Sequence, residues 1–203
     1  LRAFRAASRA AGLKSNFGTM TKPLHAGAAA RAGVTAARLA SGGFTASPDA
    51  VDGDGGFLEL YAGEDPVTLS ELPALDRPTA LEAHGINVKK YPCCYYTHTS
   101  IHAAERLADE HDVDPEDVES IQVVTSPGPA DALHYPNPET GLEGKFSLEY
   151  TVASAVAREH VGVERVEVDA VAAPAVQRVR ERVEGATDDS PEDNDTTAAM
   201  SME

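Results

Sequence analysis

Tryptophan is missing from this 203-residue chain, and aromatic residues of all kinds make up only 5% of it. Cysteine is nearly missing: Cys93 and Cys94 are the only two, and they are neighbours. Adjacent cysteines rarely bridge each other, which excludes a disulfide framework and makes the cytoplasm the expected location. No run of about eighteen apolar residues occurs, so no segment reads as a membrane-spanning helix. Positive charge is scarce. Lys and Arg number 17 against 33 Asp and Glu, for a formal charge of −16, and lysine occurs only as Lys14, Lys22, Lys89, Lys90 and Lys145. A chain this acidic repels phosphate backbones, which argues against a nucleic-acid partner. Acid-rich, lysine-poor surfaces suit high salt, where self-repulsion is screened. A halophilic cytosol is one reading; an ordinary acidic protein is the other. Familiar motifs are lacking too: there is no G-x-G-x-x-G, no phosphate-binding G-x-x-x-x-G-K, no G-x-S-x-G and no H-E-x-x-H. The Asp52–Gly56 stretch hints at a calcium loop, but it has no third ligand and no closing Glu, so it reads as a turn.

What is present is enough for a core. Apolar residues reach 42% and charged ones 25%, the composition of a folded chain of one large domain or two small ones. The chain opens LRAFRAASRAAG, without Met and already in helical rhythm, with Leu1, Phe4 and Ala7 opposite Arg2, Arg5 and Arg9. The expectation is a helix over 1–12 and a piece of a longer protein. A polar, glycine-punctuated loop follows. A helix then runs from Pro23 to Arg38 and ends at Gly42 and Gly43. Its Ala- and Gly-lined face suits the inside of a helical bundle. Residues 48–56 are a turn cluster, FLELYAG is a short helix or a strand, and 62–85 are Pro-rich and irregular.

The texture changes after Gly85. Residues 86–91 read as a short strand, and 97–113 as a helix with Ile101, Ala104, Leu107 and Ala108 on one face. The alternating, β-branched run from Val118 reads as the best strand. A long loop with four prolines follows, of the kind that is often functional. Residues 145–160 read as a second strong helix, with Phe146, Tyr150 and Ala153 stacked. Two short helices break before Pro174, and the tail from Thr187 has no periodicity and is expected to be disordered. The fold class expected is α+β.

Three segments hold residues that can carry chemistry. Lys22 precedes a helix N-terminus, where backbone N–H groups and its own charge converge on a carboxylate, and His25 lies one turn on. Taken alone, these read as a solvated amine and a packed imidazole. His98 lies in the first turn of a helix with Thr97 as its cap, placed to exchange a proton near pH 7. His98 and His102 at i, i+4 suggest a zinc site with a neighbouring cysteine, but the cysteines read better as small buried groups. Tyr150 points into a cleft or into the core; taken alone, the core reading is preferred.

Together, in this order, NFGTMTKPLHAGAAARAG with the later GGF, KKYPCCYYTHTSIHAA and KFSLEYTVASAV resemble the MmgE/PrpD family. That family includes 2-methylcitrate dehydratases, cis-aconitate decarboxylases and iminodisuccinate epimerases. The resemblance implies a helical domain followed by a smaller α/β lid domain, with the site in the cleft between them. On that reading 1–88 are the remnant of the helical domain and 89–160 the lid. Residues 161–186 are a helical return and 187–203 a disordered acidic tail. Family members are more than twice this length, so the first half of the helical domain is expected to lie outside this sequence, with an acidic residue and a His of the site.

Carried over, the active-site Lys falls on Lys22, the lid His on His98 and the active-site Tyr on Tyr150, with His25 and Lys145 toward the substrate. The implied chemistry is proton transfer at a carbon beside a carboxylate, with no cofactor and no metal. The implied substrate is a small di- or tricarboxylate and the implied assembly, at full length, a homodimer. A hydro-lyase acting on 2-methylcitrate in propionate catabolism leads. An isomerase, epimerase or decarboxylase on the same scaffold is the alternative, and a non-catalytic remnant needing a partner chain is another.

Overall fold

The computed structural model describes residues 12–51, 53–61, 80–126, 128–157, 161–163, 168–188 and 197–202. The helix expected over 1–12 falls almost wholly outside them. The fold is α+β. The chain divides into two compact units, one formed by Leu1–Gly27 with Lys89–Glu203 and the other by Ala28–Val88.

The core belongs to the first unit. Helix α1 spans Thr21–Ser41, α2 Phe57–Tyr61, α3 Ala80–His84 and α4 His98–Glu110. Strand β1 (Val118–Thr125) follows, then the short α5 (Gly141–Gly144), α6 (Leu148–Val156), α7 (Val168–Val171) and α8 (Pro174–Arg180), and last β2 (Val183–Thr187) and β3 (Thr197–Met202). The sheet order is β2-β1-β3, with β1 central, parallel to β2 and antiparallel to β3.

Helix α4 is amphipathic in the expected way: Ile101, Ala104 and Ala108 are buried at helical spacing, and Arg106 and Glu110 pair on the solvent side at 2.6 Å. It stops where Asp112 takes a left-handed φ of 48° and the Val113 N–H reaches back to the Ala108 carbonyl at 3.0 Å. Helix α6 is buried along every residue but Glu149 and lies between α4 and α8. Its aliphatic side chains meet Val118, Ile121 and Val123 of β1 and Val176 and Val179 of α8 in one continuous core. Each of these aliphatic side chains contributes about 1.5–3 kcal/mol by leaving water. Helix α6 begins at Leu148, later than the periodicity suggests, because the Ser147 side chain caps it by accepting the Tyr150 N–H at 3.0 Å.

Several expectations are corrected. Residues 86–91 form no strand. Ile86 and Val88 are exposed, and β1 already has a partner on each edge. The stretch expected to be a helical return ends in a strand, because β1 offers Val183–Thr187 a parallel ladder, and Gly185 lets Leu148 pack close. The tail expected to be disordered supplies β3 over Thr197–Met202, antiparallel to β1. Ala80–His84 form a helical turn inside a stretch read as irregular, and FLELY resolves as helix α2. The small-residue face of α1 is not an interior here: the helix buries no residue, and Leu24, Val34 and Leu39 are exposed. In the second unit, residues 53–56 form a turn closed by the Gly56 N–H on the Gly53 carbonyl at 2.7 Å.

Candidate active site

The three segments singled out in the sequence meet within the first unit, and Lys145-Phe146 is their junction. The Lys145 carbonyl accepts the Cys94 N–H at 2.8 Å, which ties the segment before His98 to the start of α6. The Phe146 ring stacks on Phe17, centroids 5.0 Å apart and 30° between planes. Lys22 Nζ sits 5.0 Å from the centroids of both rings. Lys22 is the second residue of α1 rather than the residue before it, half-buried, and among the described residues it has no carboxylate partner. An ammonium over aromatic faces gains about 0.5–1 kcal/mol per contact at such a site. The rings thus hold the charge in place without neutralising it.

Tyr135 closes this arrangement from the long loop. Its hydroxyl donates to the Phe17 carbonyl at 2.7 Å, and the Phe146 carbonyl accepts its N–H at 3.4 Å. Burial, with Glu143 nearby, pushes its hydroxyl above the ordinary tyrosine range, so it stays a donor. Gly18 is buried with φ 77° directly against the Tyr135 ring, a position no larger residue fits. The sequence reading missed Phe17, Phe146 and Tyr135 as parts of the site. The hint was the loop's length and its prolines.

His98 opens α4. Its ring meets Tyr91 edge-on, with centroids 5.2 Å apart and planes at 89°, and Tyr95 at 5.3 Å. Its Nε2 is enclosed without a hydrogen-bond partner among the described residues. Burial lowers its affinity for a proton below that of an ordinary imidazole. The charge of Lys89 adds to this, while hydrogen bonding to the Tyr91 and Cys93 backbone opposes it. The result is an imidazole that is neutral at pH 7 and able to accept a proton. Lys89, which the sequence reading did not single out, turns its ammonium onto the Cys93 carbonyl at 2.8 Å.

Thr97 does not cap the helix with its side chain. Its hydroxyl donates to the Cys94 carbonyl at 2.8 Å, leaving its oxygen to accept from the Cys93 thiol at 3.1 Å. Burial raises the Cys93 thiol, which keeps its proton. Among the described residues no three His, Cys, Asp or Glu side chains are grouped to hold a metal ion.

His25 is half-buried one turn after Lys22, its Nε2 also enclosed without a partner among the described residues and its ring against Gly12. Lys145 is half-buried at the junction. Tyr150 is placed in the core, 2% exposed, with its ring against Gly144.

Two family models match the chain. A model of the MmgE/PrpD C-terminal domain matches residues 91–202, and one of the MmgE/PrpD N-terminal domain matches residues 5–70. The chain belongs to the MmgE/PrpD family. It is 27% identical over 183 residues to the cis-aconitate decarboxylase of Homo sapiens and 28% identical over 184 residues to that of Mus musculus. Each alignment takes in 88% of this chain and 37% of the relative, so the chain spans well under half the length of these curated MmgE/PrpD relatives. No described helix is long and apolar enough to cross a membrane.

Proposed function

We propose that this MmgE/PrpD chain carries the lysine- and histidine-bearing part of a lyase that moves a proton at a carbon beside a carboxylate, on a small di- or tricarboxylate and without a cofactor. The observation that carries the reading is Lys22, held over two stacked rings at the junction that also receives the His98 segment. In a chain of charge −16, all five lysines lie in the unit that holds this junction. An acidic substrate needs a cation free to meet it, and Lys22 stands over its rings with no carboxylate partner among the described residues.

In this reading Lys22 pairs with a substrate carboxylate and stabilises negative charge that develops next to it. Lys145 and His25 engage the remaining carboxylates. Neutral His98 accepts the proton from carbon or passes it to the leaving group. Tyr150 acts from the core by holding the Gly144-Lys145 turn.

Two reactions fit these roles. Dehydration of 2-methylcitrate removes a proton from carbon and expels hydroxide as water. Decarboxylation of cis-aconitate breaks a carbon–carbon bond, releases carbon dioxide and returns a proton to carbon. The names of the two mammalian relatives favour the second. An isomerisation would use the same proton transfer without loss of a group.

The test is an assay of the protein from its whole reading frame on 2-methylcitrate and cis-aconitate, following alkene absorbance and released carbon dioxide. Lys22→Ala is expected to lower kcat/KM at least a hundredfold on the accepted substrate, with the fold intact by circular dichroism. Wild-type turnover by that variant would remove Lys22 from the mechanism. No turnover of either acid by the wild-type protein would remove both reactions.

A further inference from the structure

Helix α4 carries a second polar cluster, behind His98, that the proposed chemistry does not use. His98, His102 and Glu105 recur at i, i+4 and i+7 and so share one face of the helix. Tyr91, 1% exposed, lies along that face. Its ring packs edge-on against His98, and its hydroxyl, two turns further on, donates to Glu105. Lys90 holds the far end: its ammonium is 3.6 Å from the Glu105 carboxylate, 4.7 Å from the Tyr91 ring centroid and 3.4 Å from His102 Nδ1.

Packing alone does not call for this. A Phe at 91 and an apolar residue at 105 would fill the same space without drawing a carboxylate and an ammonium together. A rigid tyrosine tied at its hydroxyl does one thing that a phenylalanine does not: it fixes the ring against which His98 rests. The other ring near His98, Tyr95 at 5.3 Å, is 72% exposed and provides no firm wall.

We infer that Tyr91, anchored by Glu105 and Lys90, is the positioning residue that sets the orientation of the His98 ring. The inference deepens the function proposed above and rests on His98 being the proton-transfer group. Tyr91 is not a catalytic residue; it acts through the imidazole. Its hydroxyl is pushed above the ordinary range, first by burial and then by the bond to Glu105, so at neutral pH it keeps its proton and remains a donor to Glu105. The charged and titratable groups around His98 are then Lys89 and Lys90, with His102 and Glu105 further along the helix and the protonated Cys93 behind.

The experiment is imidazole nitrogen NMR on the whole protein, titrated through pH 5–8, with Tyr91→Phe, Glu105→Ala and Glu105→Gln. Tyr91→Phe and Glu105→Ala are expected to shift the His98 ring signals and move its titration midpoint up toward the ordinary imidazole value as the ring gains access to water. Glu105→Gln keeps an acceptor for the tyrosine and is expected to leave both near wild type. Where the protein turns over substrate, the first two variants are expected to lose about tenfold in kcat with KM unchanged.

His98 signals and titration that match wild type in Tyr91→Phe would overturn the inference, and that variant keeps the ring and so keeps the core. Shifted His98 signals in a protein with no turnover would instead count against the proposed lyase and leave the Tyr91–His98 coupling standing. The two failures are therefore separable.

Discussion

Replacing Gly18 with alanine tests how the Lys22 segment is held. Gly18 has φ 77°, a conformation that costs an L-alanine about 1–2 kcal/mol. A Cβ at this position would lie 2.6 Å from Cε2 of Tyr135 and 2.9 Å from its hydroxyl oxygen, closer than any real contact. Tyr135 has to move, and moving it breaks the 2.7 Å hydrogen bond to the Phe17 carbonyl, a loss of about 0.5–1.5 kcal/mol. The expected cost is about 2–3 kcal/mol, or roughly 30- to 150-fold in the folded-to-unfolded ratio.

Urea unfolding of Gly18→Ala, Tyr135→Ala and the double variant measures it. With Tyr135 already gone, Gly18→Ala meets only backbone strain. Its cost in that background should fall by about 1 kcal/mol, a coupling well outside the usual error of additivity. Equal costs in both backgrounds would show that the Tyr135 ring is not what excludes a side chain at 18. A Gly18→Ala protein within about 0.5 kcal/mol of wild type would refute the strain as well, since surface changes without a mechanism fall in that band.

Three further outcomes are expected. Ser147→Ala removes the cap on α6 and leaves the buried Tyr150 N–H without its acceptor, so denaturant unfolding should report a loss of about 1–2 kcal/mol; an unchanged midpoint would mean the cap is dispensable. His98 holds a proton less readily folded than unfolded, so the unfolded chain binds the extra proton and stability should fall as pH drops through about 6.5; His98→Gln should flatten that part of the profile, and an unaltered slope would place the effect on another group. Unfolding curves in low and molar KCl separate the two readings of a chain with charge −16: a clear gain in stability at molar KCl is expected for a halophilic protein, and equal curves would end that reading.

Some of this protein was legible in its sequence because the controlling interactions are local. Ile101, Ala104 and Ala108 recur at the period of a helix, and Val118 to Thr125 alternate like a strand, so α4 and β1 could be read directly. Pro174 broke the chain where periodicity did, and α7 and α8 lie on either side of it. The short motifs around Lys22, His98 and Lys145 pointed to the family, because their order along the chain is itself a sequence property.

What the tertiary structure alone decided is pairing. Val183–Thr187 and Thr197–Met202 have little strand character of their own; they become strands because a central β1 leaves donors and acceptors to be satisfied on both edges. Residues 86–91 looked more like a strand and have no such partner among the described residues. The placing of Tyr150 in the core was settled by the close approach of Gly144. The contact between Phe17 and Tyr135 spans 118 residues, and no local pattern encodes it. Periodicity tells which face of an element turns inward. Which element waits on the other side is fixed only when the chain closes on itself, and it is that closure which brings the Lys22, His98 and Lys145 segments together.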